Sequence, residues 1–164
     1  MKYYGKMSLA SLLKISLDIM IIIGIVVYFT LSKGILMEKV VEMSWGRFII
    51  TYILFSLGGI AVILILFNLR KIVSSLINVT PFINDNVLCL KRISLLSFVI
   101  SICYAINFVI NGQYKNFKIA YVDNSGIHTD IEFLIFFFSG CFILILSQVF
   151  KQAVEAKEEN EFTI

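Results

Sequence analysis

The side chains able to do chemistry are few and far apart. Asp18 follows Lys14 by four residues inside the first apolar run, so a helix would set both on one face. A lone carboxylate deep in lipid costs roughly 2.5 kcal/mol or more, and pairing or protonation relieves it. The expectation is a shallow Lys14–Asp18 ion pair near the interface. The alternative is a proton- or cation-sensitive site facing the bundle interior. His128, the only histidine, stands two residues before Asp130. One imidazole and one carboxylate make a poor metal site, so a solvated loop residue is expected. Cys89, Cys103 and Cys141 are odd in number, lack CxxC spacing and lie in or beside apolar runs, as structural membrane thiols do. Ser94, Ser97 and Ser101 fall at i, i+3 and i+7, a polar stripe ending near Asn107. Serine hydroxyls can bond to their own helix backbone, so this stripe reads as packing more than as a pore. No HExxH, GxSxG, P-loop, Cys/His cluster or dinucleotide fingerprint occurs, and Asp18 has no second intramembrane carboxylate as partner. The reading is a non-enzymatic protein with no cofactor and no metal.

These residues must be positioned by a chain of 164 residues that is 59% hydrophobic, against roughly 45–50% in soluble domains. Four apolar runs, about 15–31, 48–69, 93–110 and 131–150, approach or exceed the roughly 17–25 residues that cross a bilayer as a helix. The fold class is therefore an all-α membrane protein, one compact domain over residues 1–164 with four transmembrane helices. The first run follows Lys2 and Lys6 but is long enough to span and lacks a small-x-small exit, so it is expected to stay as an anchor. Trp45 stands before the second span, where interfacial aromatics are enriched. Ser56, Gly58 and Gly59 in that span, and Ser139-Gly140 in the fourth, are points where helix backbones can approach closely. Residues 111–130 form a long connection that alternates in part and reaches Asp123-Asn124-Ser125-Gly126, the turn signal of a short hairpin outside the membrane.

Between the second and third spans lies a polar elbow, residues 70–92. It holds the only proline, Pro81, and the basic residues Arg70, Lys71, Lys91 and Arg92 against one acid, Asp85. Leu69, Ile72, Val73, Leu76 and Ile77 alternate at helical spacing with Arg70, Lys71, Ser74, Ser75 and Asn78. That pattern predicts an amphipathic interfacial helix with a lipid-facing stripe. It should stop near Val79, because a residue before proline is biased out of the α region. Phe82 and Ile83 are expected to fold back onto the bundle or the interface, and Asn84, Asp85 and Asn86 to cap the next helix. The tail, 151–164, sets Lys151 and Lys157 against Glu155, Glu158, Glu159 and Glu161, while Val149, Phe150, Ala153 and Val154 continue an apolar face. With four spans, both termini and the elbow share one side. That side carries nine of the fourteen basic residues; the other carries Lys33, Lys39, Arg47, Lys115 and Lys118. The positive-inside rule then sets an N-in/C-in topology with a cytoplasmic elbow.

Two stretches, TPFINDNVLCLKRIS at Thr80 to Ser94 and SQVFKQAVEAKEENEFTI at the chain's end, resemble the DUF2975 family of small bacterial four-helix membrane proteins. The first is similar to the family's Pro-Phe, Asn, Leu, basic-Ile pattern, with Asp85 before Asn86. The second has an apolar-Phe step leading to an acidic tail that closes on Thr-Ile. The resemblance runs over the second to fourth spans, while the first matches in hydropathy alone. It implies a multi-pass protein of the bacterial cytoplasmic membrane. The family has no established activity, and its members are often encoded beside a very small helix-turn-helix protein of the Cro/C1 type, which implies a membrane partner for a regulator. The expected function is to bind and regulate such a small cytoplasmic DNA-binding protein without touching nucleic acid directly. The expected contact residues are Arg70, Lys71, Pro81, Phe82, Asn86, Lys91, Arg92, Glu155, Glu158, Glu159 and Glu161, the glutamates competing for the regulator's basic DNA-binding face. Three other readings stand beside it. The tail folds back onto the elbow's cations. Or the chain is a small transport or immunity-type protein with Asp18, the serine stripe and Asn107 lining its site. Or its elbow grips anionic membrane lipid, at about 1 kcal/mol per basic residue.

Overall fold

The computed structural model describes residues 5, 8–37, 44–112, 114, 117–123 and 126–161. Lys2, Lys6, Lys39, Lys115, Asn124 and Ser125, used in the topology count and the turn signal, lie outside the described residues. Four helices carry the fold: α1 (Leu9–Met37), α2 (Trp45–Ile77), α3 (Asn84–Ile110) and α4 (Glu132–Glu161). Between α3 and α4, β1 (Tyr121–Asp123) pairs antiparallel with β2 (Gly126–His128), Val122 opposite Ile127. The hairpin expected at that turn signal is therefore present. Asp130 anchors its base: its Oδ2 accepts the Lys118 N–H at 2.9 Å, and the Thr129 hydroxyl donates to the Ile119 carbonyl at 2.7 Å. The Asp130 carboxylate serves the backbone there, and it is buried.

Each helix outruns the apolar run that predicts it. The 33 residues of α2 rise about 50 Å at 1.5 Å per residue, against roughly 30 Å of hydrocarbon in a bilayer. An α-helix keeps its own hydrogen bonds on leaving lipid, so hydropathy marks where it is immersed and not where it stops. The elbow consequently shrinks from residues 70–92 to residues 78–83, because Arg70 to Ile77 belong to α2 and Asn84 to Arg92 to α3. The expected interfacial helix is instead the last two turns of α2. Its apolar stripe does not face lipid. Val73 is buried with Ala10 and Leu17 of α1, and Leu66, Leu69, Leu76 and Ile77 pack against them.

Backbones meet only between sequence neighbours: α1 on α2, α2 on α3 and α3 on α4 among the described residues. The arrangement is a row of helices with α3 as its most enclosed member, a third of its span being buried. Small residues set these approaches. A Cβ on Gly59 would stand 2.7 Å from the ring of Tyr28, which stacks on Phe55 across the α1–α2 seam. A Cβ on Gly140 would stand 2.9 Å from the ring of Phe98 at the α3–α4 seam. The serine stripe lies along that second seam. Ser94 donates to the Gly140 carbonyl at 2.8 Å, Ser101 to the Phe133 carbonyl at 2.7 Å, and Ser97 to its own helix at Ile93. Interhelical hydroxyl bonds of this kind are the polar glue of membrane helix pairs.

Candidate functional site

The polar machinery concentrates at the elbow. Helix α2 ends with Val79 at a positive φ of 59°. The Thr80 N–H reaches back to the Ser75 carbonyl at 3.0 Å and the Val79 N–H to the Leu76 carbonyl at 3.2 Å. These two bonds form the C-terminal motif that glycine usually closes. A β-branched residue in this left-handed region costs about 1–2 kcal/mol, so surrounding bonds must hold it. They converge on Asn86. Its Nδ2 donates to Ser75 Oγ at 2.6 Å and to the Pro81 carbonyl at 2.7 Å, and Ser75 Oγ donates onward to Ile72 at 2.7 Å. Asn86 is 2% exposed. It staples the end of α2 to the start of α3 across the proline turn. The N-cap of α3 is Ile83 and carries no side-chain cap, so the expected capping role of Asn84 and Asn86 gives way to this staple.

Ionic partners differ from those the sequence suggests. The Asp18 carboxylate accepts from the guanidinium of Arg70, 52 residues away, and not from Lys14. Arg70 is thereby committed to α1. Lys71, Lys91 and Arg92 make no ion pair among the described residues. Lys71 and Arg92 line both of two adjoining hollows between α2 and α3, and Lys91 lines the second. One, about 460 Å³, is polar and includes Asn78, Asp85 and Arg92. The other, about 560 Å³, runs from Lys71, Lys91 and Arg92 toward Leu64 and Leu95.

The acidic end of α4 comes to the same place. Glu158 accepts from Asn84 Nδ2 at 3.3 Å, and the rings of Phe82 and Phe150 lie 5.8 Å apart. Glu155 is taken by Lys151 one turn earlier, at 3.3 Å. The described pairings thus join tail to elbow through Asn84 and Phe82 rather than through the elbow's cations. Glu159 belongs to the same stretch of α4; the side chain of Glu161 lies outside the described residues. Of the residues expected to face a partner, Phe82 and Arg92 are exposed and Lys91 half-buried, whereas Asn86 is enclosed.

The residues of the transport reading are not assembled. Asp18 is on α1, which among the described residues packs on α2 alone. Ser94 and Ser101 spend their protons on α4 carbonyls, and Asn107 accepts from Asn111 at 2.9 Å. An apolar cavity of about 380 Å³ does lie beside Asn107, lined by Thr51, Phe55, Gly58 and Tyr104. The three cysteines are unpaired and widely separated along the chain. Among the described residues no group of three His, Cys, Asp or Glu side chains is close enough to hold a metal. The sequence marks Ser75 only as a polar-face residue and Val79 only as a helix stop, without their bonding roles, and it does not mark Asn68. The signal for the first two was the Val79-Thr80-Pro81 run itself, since proline is common just past such helix ends.

Four helices long and apolar enough to cross a membrane, packed in chain order and stapled at one end, define a multi-pass membrane protein. A family model described as a protein of unknown function, DUF2975, matches residues 15–164, and the chain belongs to that family. The match takes in most of α1 as well as the second to fourth spans, so kinship extends further than the two motif stretches. No curated protein and no solved structure matches.

Proposed function

We propose that the protein is a non-enzymatic component of the bacterial cytoplasmic membrane, with both termini and the elbow in the cytoplasm, that binds and restrains a small helix-turn-helix transcription regulator. The observation that carries this reading is the meeting of the acidic end of α4 with the elbow, through Asn84–Glu158 and Phe82–Phe150. That meeting makes one composite surface of an acidic helix and an exposed aromatic. A helix-turn-helix domain offers a basic face to DNA phosphates. Glu158 and Glu159 on a helix extending beyond the bilayer suit that face, and occupancy there excludes DNA.

The test is co-purification from mild detergent with a small helix-turn-helix protein of the Cro/C1 type from the same cells, followed by promoter occupancy. Glu158→Gln with Glu159→Gln should release the regulator and raise occupancy at its promoter several-fold. Capture and occupancy that are the same with and without the glutamates would remove the acidic helix from the mechanism.

A further inference from the structure

The hollow between α2 and α3 is amphipathic along its length in the manner of a phospholipid. On α2, Leu64, Phe67, Asn68 and Lys71 fall at i, i+3, i+4 and i+7 and so share one face. On α3, which follows α2 through a turn, Leu95 and Leu96 stand one helical turn beyond Lys91 and Arg92. Because the two helices run in opposite directions, their cations coincide at the elbow end and their leucines coincide deeper in the span. The distance from Lys71 to Leu64 is about 10 Å of helix rise, room for the first half of an acyl chain. The hollow holds about 560 Å³, and it opens sideways: Leu64, Phe67 and Leu95 are 42%, 40% and 65% exposed.

Two further features select the occupant. Lys71, Lys91 and Arg92 carry no ion pair among the described residues, and Asp85 in the adjoining cleft is the acid near them. Their charge therefore awaits an anion. Asn68 lines the hollow between cations and leucines, 8% exposed. Its Nδ2 donates to Leu64 at 2.8 Å, but its buried Oδ1 has no hydrogen-bond partner. An orphaned buried acceptor is costly, and Asn68 is the residue lining the hollow that carries one. Basic pockets between membrane helices are the usual seats of anionic headgroups.

We infer that the α2–α3 hollow is a binding site for one anionic glycerophospholipid, with the phosphate on Lys71, Lys91 and Arg92 and an acyl chain against Phe67 and Leu95. This does not rest on the regulator reading, and its test needs only the purified full-length protein. Protein in mild detergent is titrated with phosphatidylglycerol or phosphatidylcholine, and bound lipid is counted by native mass spectrometry. Phosphatidylglycerol should bind at least tenfold more tightly. Lys71→Gln with Lys91→Gln and Arg92→Gln should bring it down to the phosphatidylcholine level, whereas Lys151→Gln should leave it unchanged. Leu95→Trp, a change at an already exposed side chain, should fill the apolar end and weaken binding several-fold with every charge intact. Inorganic phosphate in millimolar excess should not displace the lipid. Equal affinity for the two lipids overturns the inference, as does a preference that survives the triple neutralisation. Indifference to Leu95→Trp, or displacement by phosphate, would reduce the site to a headgroup contact and also overturn it. Should the triple variant fail to fold, the Leu95→Trp and phosphate measurements still decide.

Discussion

Asn86 shows how a residue can be noticed in a sequence for one reason and matter for another. Its place after Asp85 marks it as a cap or a partner contact, yet the side chain is buried and its amide serves Ser75 and Pro81 at once. Nothing local indicates this, because Ser75 lies eleven residues back on a different helix. Replacing it with alanine leaves the Pro81 carbonyl without its donor inside the fold and frees Val79 to leave its strained conformation. Each buried polar group left unsatisfied costs about 1–3 kcal/mol. Asn86→Ala is therefore expected to destabilise the protein by about 2 kcal/mol and lower its midpoint of thermal unfolding in detergent. Ser75→Ala removes one of the two acceptors and should cost less. A variant at position 86 that unfolds with the wild type would show that the staple is not what holds the turn.

The four helices themselves are plain in the sequence, since runs of apolar residues at this length have no other use, and the hairpin between α3 and α4 follows from its turn residues. Their ends are not plain. Hydropathy falls at Arg70 and at Arg92, but the helical hydrogen-bond ladder continues through both, so the elbow is longer in composition than in structure. Helix partners are also hidden. The stripe Leu69, Val73 and Leu76 is equally suited to lipid or to another helix, and only the fold gives it to α1. Glycine pairs carry the same ambiguity, and here the two members of one pair part company. Gly58 has open space where a Cβ would go, while a Cβ on Gly59 would meet Tyr28. Gly58→Ala should be neutral or gain up to about 1 kcal/mol from helix propensity. Gly59→Ala should lose about 1–3 kcal/mol through overpacking at the α1–α2 seam. Thermal unfolding of the two variants side by side distinguishes them, and equal effects would mean that Gly59 is not a contact point.

At the scale of the whole molecule, a row of helices has two ends, and α1 is the more weakly held of them. Among the described residues it touches α2 alone, through the cluster of Ala10, Leu17 and Val73, the seam at Gly59 and the Asp18–Arg70 ion pair. The i, i+4 spacing makes Lys14 the nearest cation along the chain, but a partner within one helix does nothing to fix a second helix. Pairing with Arg70 ties α1 to the end of α2, one turn from the Asn86 staple, and so joins the first helix to the elbow. Both side chains are about two-fifths exposed, 39% for Asp18 and 41% for Arg70. At that exposure such a pair contributes about 1 kcal/mol or less. Asp18→Asn and Arg70→Gln should accordingly each weaken α1 docking modestly, and by the same amount. Joined in one protein, the two changes should cost no more than either alone, and the exchange Asp18→Arg with Arg70→Asp should recover most of the loss. Lys14→Gln should do nothing. Disulfide trapping between cysteines placed at Ala10 and Val73 reads the docking of α1 directly. Trapping that falls with Lys14→Gln as far as with Arg70→Gln would return the carboxylate to its neighbour in sequence and leave α1 held by apolar packing alone.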